Sequence, residues 1–150
     1  MFAVPDARVV ECCNRVSSQI IGAAIEVHRH LEAGLLESAY EDCLEWKLKL
    51  RDIEVKRQVV LPLPIEYKGL EVKRAFRLDL LVENLIIVEM KSEPRIEPIF
   101  ETQLNTYLRL NNLYLCLILN FQAARLREGG IKRVINPHEA NNLEQIQHLL

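Results

Sequence analysis

The stretch FRLDLLVENLIIVEMKS spans residues 76–92. Two apolar runs flank Glu83-Asn84, which predicts strands over about 71–82 and 85–91 joined by a turn. The run Leu85-Ile86-Ile87-Val88 is apolar on both faces, as in a central strand covered on both sides. Glu89 and Lys91 are two residues apart, so on an extended strand both leave one face while Met90 leaves the other. Asp79 sits on the preceding strand. A turn centred on Asn84 places Asp79 directly opposite Glu89 on the same face. A strict two-residue turn at Glu83-Asn84 instead pairs Asp79 with Val88 and turns it away. Asn tolerates positive φ, so an odd-length turn or a bulge is expected.

Outward from this hairpin the chain reads as α/β. Val9, Val10, Cys13, Val16, Ile20, Ala23, Ala24, Val27 and Leu31 recur at helical spacing, predicting a helix over 7–32. Gly34 sits where a helix end wants positive φ. A second helix, about 36–51, carries Leu36, Ala39, Tyr40, Cys43, Leu44 and Leu48 on one side, with Lys47, Lys49 and Arg51 near its end. Val55 to Leu61 alternates as a strand, and Pro62 and Pro64 argue for an edge position or a break. Ile65 to Tyr67 runs into a Lys68-Gly69 turn. Pro94 and Pro98 precede a third helix, about 98–111. Tyr114 to Asn120 reads as a second buried strand, Gly129-Gly130 as a turn, Ile131 to Ile135 as a short strand and His138 to Leu150 as a terminal helix. This order predicts an α/β sandwich with a mixed sheet.

The chain has 150 residues, 49% hydrophobic and 27% charged, the balance of one globular domain over 1–150 and not of a disordered or collagenous chain. No apolar run approaches the roughly 18 residues of a membrane span. The start, MFAVPDARVVECC, lacks a basic region followed by an apolar stretch, so no secretory signal is expected. A soluble, cytoplasmic protein with no membrane partner is the expectation. The net charge of −2 disfavours binders driven by bulk positive charge, though a local basic groove remains compatible with an acidic centre. Cys12, Cys13, Cys43 and Cys116 form no metal-binding spacing and are expected as reduced thiols. His28 and His30 lie about 200° apart on a helix and make no metal pair. His138 and His148 read as surface residues.

Two carboxylates and a lysine on adjacent strands suit phosphoryl chemistry. Carboxylate oxygens bind a hard cation that keeps waters and accepts phosphate oxygens. The cation lowers the pKa of a bound water, and the lysine orients that water or assists its deprotonation. The plain alternative is a surface ion pair with Asp79 unrelated to it. Two further segments bear on the choice. Glu37 and Tyr40 share a helix face in GLLESAY, 34–40. In ETQLNTYL, 101–108, Gln103 and Tyr107 share a face of the third helix.

With these residues the chain resembles the GxxExxY family of small bacterial proteins, a branch of the PD-(D/E)XK nuclease superfamily. Gly34, Glu37 and Tyr40 look like the name motif. Asp79, Glu89 and Lys91 resemble the superfamily motif, and Gln103 with Tyr107 is similar to the Q-x-x-x-Y element of RecB-like nucleases. IIGAAIEVHRHL, RLDLLV, IIVEMKS, TQLNTYLRL and LILNF extend the likeness over about 17–136. Ala33 departs from the proline often found before the glycine, which affects only the turn. The resemblance implies a restriction-endonuclease-like core of order α-β-β-β-α-β, a mixed central sheet flanked by helices. It also implies Glu37, Asp79 and Glu89 as acids for Mg²⁺ or Mn²⁺, Lys91 as catalytic base or stabiliser, and Gln103 with Tyr107 as positioning residues.

Candidate nucleic-acid contacts are Lys132 and Arg133 after the Gly129-Gly130 turn, with Arg125 and Arg127 before it. Arg74 and Arg77 lie on the Asp79 strand, Arg77 on the same face as Asp79 if that strand is regular. The expectation is therefore a metal-dependent nuclease acting on DNA. The rival is a non-catalytic interaction or oligomerisation module on a retained nuclease fold, which the net charge and the absence of an attached DNA-binding domain favour. A homodimer with two sites is compatible with either, since a chain this small has little surface to enclose a duplex.

Overall fold

The computed structural model describes residues 4–137 and 143–150. Helices α1 (Ala7–Leu31) and α2 (Glu37–Leu50) come first. Strands β1 (Val55–Tyr67), β2 (Leu70–Val82) and β3 (Ile86–Lys91) follow, then α3 (Pro98–Leu110), β4 (Leu115–Asn120) and β5 (Ile131–Ile135). A 3-10 helix, Leu143–Leu149, stands where the sequence predicts a terminal helix, and His138 lies outside the described residues. The strands form one sheet in the order β1-β2-β3-β4-β5, with β3 and β4 parallel and the other neighbours antiparallel. This is a mixed α/β architecture, and α2-β1-β2-β3-α3-β4 contains the α-β-β-β-α-β order.

The parallel pair explains the layers. Parallel neighbours require a crossover, and α3 supplies it, covering one face while α1 and α2 cover the other. Every residue of β4 is buried, as is all of β3 up to Lys91. Ile86, Val88, Met90, Leu115, Leu117 and Leu119 pack with the α1–α2 side. Ile87, Cys116 and Ile118 pack with Leu104 and Leu108 of α3. Each such large side chain contributes about 1.5–3 kcal/mol.

Local signals fix the ends. The Asp6 carboxylate caps α1 by accepting from the Arg8 N–H at 2.8 Å. Pro98 opens α3, where its missing N–H costs nothing. Gly34 adopts φ 106° in the connection between α1 and α2. β1 runs unbroken through Pro62 and Pro64, which are tolerated because β1 is an edge strand. All four cysteines are free; Cys12, Cys13 and Cys116 are buried, and burial pushes the Cys13 thiol up to about 12. Among the described residues no helix is long and apolar enough to cross a membrane.

Gly130 closes the β4–β5 connection. Its N–H donates to Leu126 O at 2.9 Å, and its carbonyl accepts from the Asn120 N–H at 2.7 Å. A Cβ there would stand 2.7 Å from the Leu126 carbonyl oxygen and 3.0 Å from that of Asn120, both backbone atoms with little freedom to yield. Gly130→Ala is expected to destabilise the chain by about 2 kcal/mol, a fall in Tm of about 5 °C, measured by thermal denaturation.

Candidate active site

The turn between β2 and β3 is the odd-length alternative. Leu80 pairs with Val88, Leu81 with Ile87 and Val82 with Ile86, leaving Glu83, Asn84 and Leu85 as the connection. Glu83 and Asn84 both take positive φ, 54° and 51°. This register continues to Asp79 opposite Glu89, but pairing ends at Leu80–Val88. Beyond it, side chains replace the backbone ladder. The Asp79 N–H donates to Glu89 Oε1 at 3.3 Å, and the Met90 N–H donates to Asp79 Oδ2 at 2.8 Å. Both carboxylates are thus pinned at the mouth of a fork between two strands.

A second irregularity lies across from Asp79. On β1, Val55 belongs to the α1–α2 core, whereas Val59 and Leu61 pack with the α3 side. On β2, Leu80 and Val82 belong to the former and Phe76 and Leu78 to the latter. The ribbon therefore rolls over between Arg57–Leu80 and Val59–Leu78, and Gln58, at φ 50°, is the residue within the roll. Its Nε2 donates to Glu41 Oε1 at 2.9 Å, which also accepts from Arg57 Nε at 3.3 Å. Glu41, one helical turn beyond Glu37, is only 5% exposed and is satisfied by these donors.

Glu89 is likewise 5% exposed. Burial, then the charge of Asp79, then a hydrogen bond to the Asp79 carboxylate push its pKa up to about 9. The Lys91 ammonium sits 4.1 Å above the Phe100 ring centroid and 4.0 Å from Glu93 Oε1. Glu37 Oε1 accepts from the Ser92 N–H at 3.0 Å, tying α2 to the end of β3. Tyr40 is fully buried, stacks on Phe121 at 4.3 Å, donates to the Glu32 carbonyl and accepts from the Leu35 N–H. It thereby anchors the loop that leads into Glu37.

Other residues named from the sequence are placed differently. Gln103 is exposed on α3, and Tyr107 stacks on Phe76 at 4.1 Å, packed against the α3-side core. Lys132 and Arg133 do not act together, because strand alternation sends them to opposite faces. Lys132 meets Glu101 of α3 at 3.7 Å, while Arg133 donates to Ser17 Oγ and Asn14 Oδ1 of α1. Arg125 pairs with Glu128. The regular strand that aligned Arg77 with Asp79 is absent: the roll leaves Arg77, paired with Val60, on the face opposite Phe76 and Leu78. His28 donates to the Phe121 carbonyl, and His148 pairs with Glu83.

Asn120 escaped sequence reasoning. It lies beside Lys91 in the parallel register, and its side chain accepts from the Glu93 and Gln122 N–H groups and donates to the Glu93 carbonyl. A polar residue ending a wholly apolar strand was the available signal.

Asp79 and Glu89 are the residues with the donor chemistry for a hard divalent cation, which takes one or two carboxylates and keeps waters. Among the described residues no three carboxylates, imidazoles or thiols converge as a metal cluster, and Glu37 is engaged with Ser92. Five E-x-K tripeptides occur, at 45–47, 54–56, 66–68, 71–73 and 89–91. Only the last has a buried glutamate, and there it faces a second carboxylate. A sequence model described as the PD-(D/E)XK nuclease superfamily matches residues 14–134. The chain belongs to this superfamily. No curated protein and no solved structure matches it. For the superfamily, whose name records an acid followed by an acid-x-lysine, the hairpin fork holds residues of those types in that order: Asp79, then Glu89-Met90-Lys91.

The Glu89 shift has a definite sign. Its folded pKa lies above the ordinary value of 4.5, so between pH 4.5 and about 9 the folded chain holds more protons than the unfolded one. Stability without metal therefore falls as pH rises through that window. Glu89→Gln is expected to remove this slope and to raise Tm at pH 8 by about 5 °C. Mn²⁺ is expected to stabilise the wild type and not the variant, as read by thermal denaturation with and without the ion.

Proposed function

We propose that this superfamily member hydrolyses phosphodiester bonds of nucleic acid, with DNA as substrate and Mg²⁺ or Mn²⁺ as the ion. The observation that carries this reading is the meeting of Asp79 and Glu89 at the fork, with Lys91 two residues along β3. An ion bound there supplies Lewis-acid chemistry, lowering the pKa of a bound water and countering charge on the phosphoryl oxygens.

The chain's own groups do the rest. Asp79 and Glu89 offer hard oxygens at the fork, where backbone N–H groups already fix their direction. Lys91 orients the attacking water, assists loss of its proton and faces the negative charge that builds in the transition state. Phe100 beneath the ammonium holds it by a cation–π contact, and its apolar ring shields one side from water. Glu37 fixes the Ser92 backbone and so the strand end that presents Lys91. Gln103, three residues beyond Phe100 on α3, is available to orient water or substrate. Tyr107 positions the base of the hairpin through Phe76. Arg77 is open to phosphate, whereas Lys132 lies on the α3 face and is held by Glu101.

The test is cleavage of mixed single- and double-stranded DNA with either ion. Wild type is expected to cut, and Lys91→Ala to lose at least about 100-fold. Equal cutting by both points to a contaminant. No cutting with either ion moves the reading to a non-catalytic interaction module on the nuclease fold.

A further inference from the structure

Beyond Gln58 the β1–β2 ribbon continues for nine cross-strand pairs, Val59–Leu78 to Tyr67–Leu70. At about 3.3 Å per residue this is an arm roughly 30 Å long. Its base is covered by the α3-side core, but from Pro62 to Ala75 every residue is exposed except Leu63 and Val72, which are half-buried. It begins at Leu78, one residue from Asp79 of the proposed metal site. The tip is a tight turn with Lys68 at φ 49° and Gly69 at φ 85°, a primed geometry that keeps the two strands in register.

The arm's charge differs from that of the chain. Val59–Leu78 carries Lys68, Lys73, Arg74 and Arg77 against Glu66 and Glu71, in a protein of net charge −2. Lys73, Arg74 and Arg77 form no ion pair among the described residues, whereas Arg57, Lys132 and Arg133 are all bound to neighbouring elements. Lys73 and Arg77 share one face, four residues or about 13 Å apart along β2. Pro62 and Pro64 withhold two N–H groups from the outer edge, which disfavours extension of the sheet by another chain.

We propose that this arm is the docking element for duplex DNA, with Lys73 and Arg77 reaching phosphates from one face of the ribbon and Arg74 from the other. A two-stranded ribbon fits the DNA major groove. The inference rests on the nuclease reading but is tested apart from it, by binding without metal.

The probe is a fluorescein-labelled DNA duplex of about 20 base pairs, long enough to span arm and fork, with anisotropy measured in EDTA at several salt concentrations. Three chains are compared: wild type, Lys73→Ala/Arg74→Ala/Arg77→Ala, and Arg29→Ala/Lys49→Ala, exposed on α1 and α2, as a control for lost charge. The arm variant is expected to bind about 30-fold more weakly, with its log–log salt slope reduced by about 2 to 3, and the control to stay within about twofold. Retention of Mn²⁺-induced stabilisation by the arm variant shows that fold and fork are intact. Wild-type affinity in the arm variant overturns the proposal, as does equal weakening in the control. A changed oligomeric state with unchanged affinity assigns the ribbon to a second copy and also overturns it. Arm-dependent binding without cleavage keeps the docking role and removes the nuclease reading; cleavage with arm-independent binding does the reverse.

Discussion

The backbone ladder between β2 and β3 stops at Leu80–Val88, and what replaces it organises the rest of the molecule. Past that pair, the Asp79 and Met90 amides donate to carboxylates instead of carbonyls. This substitution leaves no buried N–H unsatisfied there, which would otherwise cost about 1–3 kcal/mol. It also parts the two strands, so that β2 departs with β1 while β3 stays with β4. Site and protruding ribbon are two results of one interrupted ladder.

A set of contacts from separate elements stiffens the far side of the fork. Asn120 clamps the Glu93 backbone, the Phe121 N–H donates to the Lys91 carbonyl, and Tyr40 stacks on Phe121. Through Tyr40 the start of α2 is tied to the strand end that carries Lys91, and Glu37 makes a second tie at Ser92. Groups from α2, β3 and β4 therefore share one rigid neighbourhood, as preorganised electrostatics requires. Cys116, on the adjacent strand, is buried beside the fork, and burial first, then Glu89 and Asp79, push its thiol well above the ordinary value.

Much of this was legible in the sequence. Period-2 spacing placed Glu89 and Lys91 on one face, and the tolerance of Asn84 for positive φ favoured the register that brings Asp79 to Glu89. The three helices and the central strands followed from apolar periodicity. The roll at Gln58 was not legible, because nothing local marks that glutamine; its conformation accompanies a bond to Glu41, seventeen residues earlier. Arg77 was misaligned for the same reason, since one irregular residue inverts the facing of all that follows. Lys132 and Arg133 looked like a cluster because they are adjacent in sequence, yet adjacency on a strand separates side chains. The terminal segment lacks a long apolar face, and only Ile146 of the 3-10 helix is buried.

The roll at Gln58 also divides the molecule into parts that answer to different pressures. Inside it, residues of β1 and β2 are held by helices on both faces, and a length change there would displace Asp79. Outside it, the ribbon from Pro62 to Ala75 touches little but itself. Residues can be gained or lost at the Lys68-Gly69 tip in matched pairs, each changing the reach by about 3.3 Å while the alternation of faces is kept. The fold thus contains a segment whose length can drift over evolutionary time while the fork stays as it is.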